Sequence, residues 1–409
     1  MESREFDVVV WGATGFTGQL VAEYMFRQYG VGGDVTWAIA GRNRAKLEQV
    51  ANRAAGNQAD QLALIVADTT DQDAIVEMVQ RTRVVCTTVG PYALYGTGLV
   101  EACATHGTHY CDLTGEVQWM VKTIEQFQSL AESSGAKIVH TCGFDSIPSD
   151  MGVFHLQQQM QALHSCVATE VKYRVGETAG GVSGGTIASM MNMMEEAKVD
   201  PRINEILSDP YSLNPLNMPR GEDGQDQSAA LYDLDFMQWT APFAMAGINT
   251  RVVRRSNALM GYSYGKDFRY SESMLMGNGP VGYMKATAVA GVSGLMMLSA
   301  AFSPTRSLMK QIVPKPGEGP SEQTIANGSF TIELFGRNGE DKDKSVRTRV
   351  TGDRDPGYGA TSKMLAESAV CLAKDELAEG GGILTPAAAM GDKLLERLQA
   401  NAGMGFTVI

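Results

Sequence analysis

A β-rich run, Phe6 to Trp11 (F-D-V-V-V-W), leads directly into Gly12-Ala13-Thr14-Gly15-Phe16-Thr17-Gly18. The stretch after it, Gln19 to Tyr29, carries Leu20, Val21, Tyr24 and Met25 at helical spacing. A glycine loop between a strand and an amphipathic helix belongs to βαβ folds, where each glycine has a task. Gly12 permits the tight turn, Gly15 lets backbone approach a pyrophosphate, and Gly18 lets helix and strand pack closely. The helix N-terminus adds free N–H groups and a positive dipole end. The spacing is G-x-x-G-x-x-G and not G-x-G-x-x-G, so a Gly-rich turn without a ligand is the competing reading. The loop's position at the head of a βαβ series makes dinucleotide binding the expectation, with residues 12–18 as the phosphate loop.

The alternation continues. Strand candidates at Val35–Ala40, Leu62–Ala67, Val84–Val89, Thr108–Asp112 and Lys137–Cys142 are separated by helical stretches at Ala45–Ala55, Asp71–Gln80 and Gly98–His106. Strands joined by right-handed helical crossovers predict an α/β, Rossmann-type, doubly wound parallel sheet over residues 1–150. At ~150 residues per domain the 409-residue chain leaves room for at least one more unit.

The end of the second strand selects the cofactor. An NAD site places an acid there for the ribose hydroxyl. Here the run is Gly41-Arg42-Asn43-Arg44, and arginine forks suit a 2′-phosphate, so NADP(H) is expected. Asp68, after the third strand, can accept from an adenine amino group or cap the next helix. Ligands of open α/β sheets bind at the carboxyl edge. The loops on that edge are Val89-Gly90-Pro91-Tyr92, Asp112-Leu113-Thr114-Gly115-Glu116 and Gly143 to Asp150. Val89, Gly90, Pro91, Thr114 and Gly115 are therefore expected to line the nicotinamide end, although Thr114 can equally cap a helix. Tyr92 either faces substrate as a proton donor or packs as a strand-ending tyrosine. Asp145 either orients substrate or anchors the crossing into the second domain.

Lys plus Arg number 34 and Asp plus Glu 46, a net charge of −12, which excludes a broad nucleic-acid surface. Six cysteines with no C-x-x-C and no Cys/His cluster exclude a zinc or disulfide framework; no metal is expected. Met1 to Asp7 is polar and lacks a cationic start followed by an apolar run, so a cytoplasmic home is expected.

In the second half, Cys166–Gly176, Thr250–Ser256, Tyr262–Ser273, Gly328–Gly336 and Ser345–Thr351 read as strands of an antiparallel or mixed sheet. A second glycine cluster, Gly180 to Thr186, precedes a helix with Met190, Met191, Met193 and Met194, which reads as core or as an adaptable apolar substrate wall. Residues 208–228 read as a long loop, a candidate lid. Ala286 to Thr305 carries no charge, with Lys285 before it and Arg306 and Lys310 after. Its many Ala, Gly, Ser and Thr argue against a membrane span. A buried helix, an interfacial helix in peripheral contact with lipid, and a dimer face remain as readings. Thr361 or Ser362 can cap a helix running to Ala373, with Lys363 and Glu367 paired at i, i+4.

Taken together, W-G-A-T-G-F-T-G, A-G-R-N, T-V-G-P-Y, Y-C-D-L-T-G-E and C-G-F-D-S-I-P-S-D, then P-G-E-G-P-S, G-Y-G-A-T-S-K-M-L-A-E-S-A and G-G-I-L-T-P-A-A-A-M-G, resemble the saccharopine dehydrogenase-like oxidoreductases. The resemblance is to the branch holding the mycobacterial trans-acting enoyl reductases. It implies NADP(H), an α+β substrate and dimerisation domain inserted over 151–355, and C-terminal helices over 356–409 that return to the Rossmann domain. It also implies a homodimer, and reduction of an enoyl group on a small-molecule or carrier-bound acyl substrate. Tyr92 is the first candidate for proton donor and Asp145 the second catalytic candidate. Two alternatives stand beside this. One is an imine reductase of amino acids, for which Arg174, Arg251, Arg254 and Arg255 offer α-carboxylate partners unless they are surface charges. The other is a non-catalytic NADP-binding protein associated with lipid.

Overall fold

The computed structural model describes residues 4–180, 184–301 and 319–409. The first part runs β1 (Phe6–Trp11), α1 (Phe16–Tyr29), β2 (Trp37–Gly41), α2 (Arg44–Ala55), β3 (Ala63–Val66), α3 (Gln72–Gln80), β4 (Thr82–Thr87), α4 (Tyr92–Tyr95), α5 (Thr97–His106), β5 (His109–Cys111), α6 (Val117–Ser134), β6 (Lys137–Val139) and α7 (Ile147–His164). It continues through β7 (Glu170–Ala179), α8 (Gly184–Val199), α9 (Pro201–Ser208), β8 (Leu231–Asp233), β9 (Gln238–Ala241), α10 (Ala246–Leu259), β10 (Arg269–Gly277) and α11 (Gly279–Ala301). The last part is α12 (Glu322–Ala326), β11 (Ser329–Arg337), β12 (Ser345–Gly352), α13 (Thr361–Lys374), β13 (Gly382–Leu384), α14 (Pro386–Ala400) and β14 (Met404–Val408).

Two seven-stranded sheets result. The first, in order β13-β6-β5-β4-β1-β2-β3, is parallel throughout. Because helices cover both faces, its strands read as apolar runs with no alternation. In β1, Val8 and Val10 enter one core cluster, and Val9 and Trp11 the other. The second sheet, β14-β12-β11-β7-β10-β9-β8, is antiparallel except where β7 lies parallel to β10. One cluster is continuous from Val8 and Val10, through Met364, Leu365 and Ala369 of α13, to Tyr173, Ile332 and Leu334 of the second sheet. The expected Rossmann-type sheet with a second α+β unit is therefore present.

Four local expectations need correction. The strand expected at Thr250–Ser256 lies inside α10, where every residue from Ile248 to Ala258 is buried and no polar face is left for periodicity to reveal. Tyr262–Phe268 is a turn between Gly261 and Gly265, both at positive φ, and the strand begins only at Arg269. No side chain caps α13 itself; Asp355 caps the π-helical turn Pro356–Ala360 that leads into it, its carboxylate accepting from the amide of Tyr358. Lys363 and Glu367 do not pair: Lys363 reaches Asp353 (2.8 Å), while buried Glu367 accepts from the hydroxyls of Tyr24 (2.7 Å) and Tyr29 (2.6 Å). The C-terminal segment also returns to both sheets, β13 pairing with β6 and β14 with β12. Gly181–Ser183, Phe302–Thr305 and the start of the P-G-E-G-P-S motif lie outside the described residues.

Candidate active site

The loops that follow β1, β4, β5 and β6 meet along the carboxyl edge of the parallel sheet. In the first of them, Gly12 sits at φ +87, and a Cβ there would stand 2.7 Å from Val89 Cγ2 and 2.8 Å from Thr88 Oγ1. Gly18 faces backbone: a Cβ would overlap the carbonyl oxygen of Gly12 and lie 2.8 Å from Ala13 Cα. Gly15 by contrast is exposed, and a Cβ would meet only the Gly12 carbonyl at 3.3 Å. No side chain caps α1, and its first turn holds no acid. Its opening amides, beside Thr14, Phe16 and Thr17, are thus left to an anion. The loop is a cradle that fits a pyrophosphate.

At the end of β2, Asn43 is spoken for. Its side chain caps α2 by accepting from the amide of Lys46 (3.0 Å). Arg44 pairs with Glu48 (3.1 Å) on the surface. Arg42 is exposed and, among the described residues, engages only the field of Asp68. Asp68 accepts from the amide and hydroxyl of Thr70 (3.0 and 2.8 Å), which with the charge of Arg42 hold its carboxyl below the usual range. The cap of α3 is Asp71, accepting from Ala74 (3.1 Å). Arg42 is therefore the cation best placed for a phosphate, and Arg44 shares its charge.

Tyr92 is placed as a packing residue. It is 5% exposed, and its ring stacks on Trp119 with centroids 5.6 Å apart. Its hydroxyl donates to the carbonyl of Thr87 (3.3 Å) and accepts from the amide of Leu113 (3.2 Å). Burial and the nearby Asp112 push its pKa far up. Both roles of the hydroxyl are used inside the protein, so it is a poor proton donor to a substrate. Asp112, also buried, accepts from Tyr110 (2.8 Å), Thr114 (3.0 Å) and Thr141 (3.0 Å) and contacts His140 (2.8 Å). It shapes the β5 loop, while Thr114 accepts from the amide of Glu116 (3.1 Å) and Gly115 faces open space. Glu116 accepts from the amides of Tyr92 (2.8 Å) and Ala93 (2.9 Å), fixing the turn that carries Val89, Gly90 and Pro91. It also accepts from Ser189 (2.7 Å) of α8, so one carboxylate ties the rim to the methionine helix.

Asp145 differs from these carboxylates. It is half-buried on the β6 loop, and among the described residues no hydrogen bond or ion pair holds it. Burial, with the charge of Asp112, pushes its pKa up to about 7. Its charge is also felt by Tyr92, which places it on the same rim. Tyr358, edge-to-face on Phe16 at 4.8 Å, and Thr361, whose hydroxyl accepts from the amide of Phe144 (3.0 Å), bring the C-terminal segment to this rim. Their motif, G-Y-G-A-T-S, was visible, but nothing local in the sequence tied it to residues 16 and 144.

The four arginines raised for an amino-acid substrate are neither free nor on the surface. Arg174 pairs with Asp233 (2.8 Å). On α10, Arg251 binds the carbonyls of Leu207 and Asp209 and the carboxylate of Asp226. Arg254 binds Asp223 and the carbonyl of Pro210, and Arg255 the carbonyls of Leu213 and Ile383. Each is at most 5% exposed. Together those of α10 fasten residues 207–226, which corrects the reading of that loop as a lid.

Residues 8–139 match the model of the saccharopine dehydrogenase NADP-binding domain. A Mycobacterium tuberculosis protein provisionally named a trans-acting enoyl reductase is 41% identical over 97% of this chain and 96% of its own. A second from that organism, named trans-acting enoyl reductase, is 38% identical over 99% and 98%. The apo saccharopine dehydrogenase (L-Glu forming) of Saccharomyces cerevisiae superposes over 99% of this chain and 100% of its own, with a TM-score of 0.55 at 11% identity, a likeness of fold.

Proposed function

The chain belongs to the saccharopine dehydrogenase-like oxidoreductases, in the branch of the trans-acting enoyl reductases, and is an NADP(H)-dependent oxidoreductase; from that premise we propose that it reduces the activated C=C bond of an acyl substrate. The observation that carries this reading is the unengaged carboxyl of Asp145 on the rim of the dinucleotide site.

When bound, the cofactor supplies a hydride from its nicotinamide. Residues 12–18 would hold the pyrophosphate, Arg42 with Arg44 the 2′-phosphate, and Val89, Gly90, Pro91, Thr114 and Gly115 the nicotinamide end. Glu116 keeps the β4 turn in place, and the Tyr92–Trp119 stack forms the dry floor beneath it. As the β-carbon of the enoyl group gains hydride, the π pair moves to the α-carbon, which needs a proton. Asp145 donates it from its carboxyl, and solvent restores the proton. A carboxyl with a pKa near the working pH is the kind of group that general acid catalysis selects. An imine of a dicarboxylic amino acid would need basic partners, and Arg174, Arg251, Arg254 and Arg255 are all committed to internal carbonyls and carboxylates. That favours the acyl substrate, taken as a small molecule or on a carrier.

Steady-state NADPH oxidation with a panel of enoyl thioesters, set against saccharopine-type imines, tests the reading. Turnover of an enoyl thioester is expected, with kcat reduced by roughly 100-fold or more in Asp145→Asn while NADPH affinity holds. Turnover of imines alone would overturn the substrate class, and NADPH binding without any turnover would leave the non-catalytic alternative.

A further inference from the structure

Helix α11 rests one side on the second sheet and turns an apolar side outward. Trp239 of β9 packs on Tyr283 with centroids 4.7 Å apart, and Ala286 is fully buried, while Val289, Ala290 and Ser293 are half-buried on that same side. Opposite them, Val281, Met284, Val292 and Leu295 are 63%, 69%, 58% and 67% exposed. With exposed Ala288 they recur at i, i+3, i+7, i+11 and i+14, one continuous stripe. This is the reverse of an ordinary surface helix, whose solvent side is polar. Among the described residues, no helix is long and apolar enough to cross a membrane.

We propose that this stripe seats the protein on an anionic lipid surface, with α11 lying in the plane of the headgroups. Charge decides between a lipid and a second copy of the chain. From Ser273 to Gly317 the sequence holds no acid and four cations, Lys285, Arg306, Lys310 and Lys315, in a chain of net charge −12. A two-fold contact would bring this stretch against itself and offer exposed Lys285 no acid of its own segment. An anionic leaflet supplies both the apolar phase and the countercharge. The described helix of 23 residues is about 35 Å long, enough for an in-plane seat. Helix α8 packs beside α11, and its Ser189 is bonded to Glu116 on the rim. Met190, Met191, Met193 and Met194 are half-buried, and among the described residues none is part of a buried apolar cluster. Docking through α11 thus brings the methionine helix, one hydrogen bond from the active-site rim, to the lipid side. The inference stands apart from the redox chemistry, since its readout is binding to vesicles.

Flotation of the full chain with phosphatidylcholine vesicles, with and without phosphatidylglycerol, tests it. The wild type should float with the anionic vesicles and lose binding as salt rises. Val292→Asp with Leu295→Asp should weaken binding at least roughly tenfold, with NADPH affinity and melting temperature unchanged because both sites are exposed. Lys285→Glu should weaken binding to the anionic vesicles only. A wild type that floats with neither vesicle, or a double variant that floats as well as the wild type, would overturn the proposal. So would a dimer that the double variant converts to a monomer without any vesicle binding, which would assign the stripe to a second copy.

Discussion

Arg42 stands exposed at the end of β2 with no hydrogen bond or ion pair among the described residues, whereas Arg44, two residues on, is paired with Glu48. A charge-assisted bond to a phosphate contributes about 1.5–3 kcal/mol. Arg42→Ala should therefore weaken NADPH binding roughly 10- to 150-fold by calorimetry and NADH binding far less, with a smaller effect from Arg44→Ala. Equal losses for both cofactors would remove the 2′-phosphate assignment. Tyr92→Phe should keep the Trp119 stack and lose the two hydroxyl bonds, lowering stability by about 1–2 kcal/mol and leaving kcat within a few-fold. In Asp145 the sign is set by its raised pKa: the donating form is the protonated one, so kcat should fall as pH rises above about 7. Arg42 was legible because a strand end and a missing acid are local signals. The commitment of Tyr92 was not, since its partner amide comes from Leu113 on another strand's loop.

Among elements, the junction of β1 and α1 separates two uses of glycine. At Gly18 a Cβ meets backbone of Gly12 and Ala13, which cannot yield, so Gly18→Ala should lower the melting temperature and reduce the folded fraction. At Gly15 a Cβ meets only the Gly12 carbonyl, at 3.3 Å, so Gly15→Val should still fold while its side chain enters the space where phosphates would sit, and lose NADPH binding by calorimetry. The alternation of strands and helices made the parallel sheet readable, with boundaries within about three residues of those observed. Helix α10 resisted reading because its arginines are buried. Nothing local in Thr250–Ser256 tells that Arg251, Arg254 and Arg255 find carbonyls on a distant loop and on β13. The i, i+4 spacing of Lys363 and Glu367 misled for the same reason: tertiary partners outbid a neighbour on the same helix.

Across the whole molecule, two buried carboxyls tie elements together without a cation. Asp150 accepts from Ser256 and from the amide of Ala387 (2.8 Å), joining α7, α10 and α14. Glu272 accepts from Tyr270 (2.7 Å) and Asn249 (2.9 Å), joining β10 to α10. Burial pushes both to a pKa of about 7, against roughly 4 in an unfolded chain. Between those values these two groups hold more protons in the folded state than in the unfolded one, so their contribution to stability falls as pH rises from about 4 to about 7 and is flat above. Asp145, raised likewise, adds to this trend, while His109, pushed down to about 4 by burial, and His155, lowered by burial, oppose it below the ordinary histidine value; Asp233 and Asp375, held low in the fold, oppose it only as pH falls below the ordinary carboxylate range. The melting temperature should therefore be higher at pH 5.5 than at pH 8, and Asp150→Asn should flatten that difference. An Asp150→Asn variant whose melting temperature changes between pH 5.5 and 8 as the wild type's does would contradict the assignment of this group.

Strands β13 and β14 are made after the other strands of their sheets and complete the outer edges, one against β6 and the other against β12. While the chain is still on the ribosome, β6 and β12 are left as open edges able to pair with another nascent chain. Both sheets are thus closed only once residues 382–408 have emerged, and a transcript cut short before Gly382 would yield two sticky edges at once. In a cell this enzyme's yield should depend on holdase chaperones until residues 382–408 emerge.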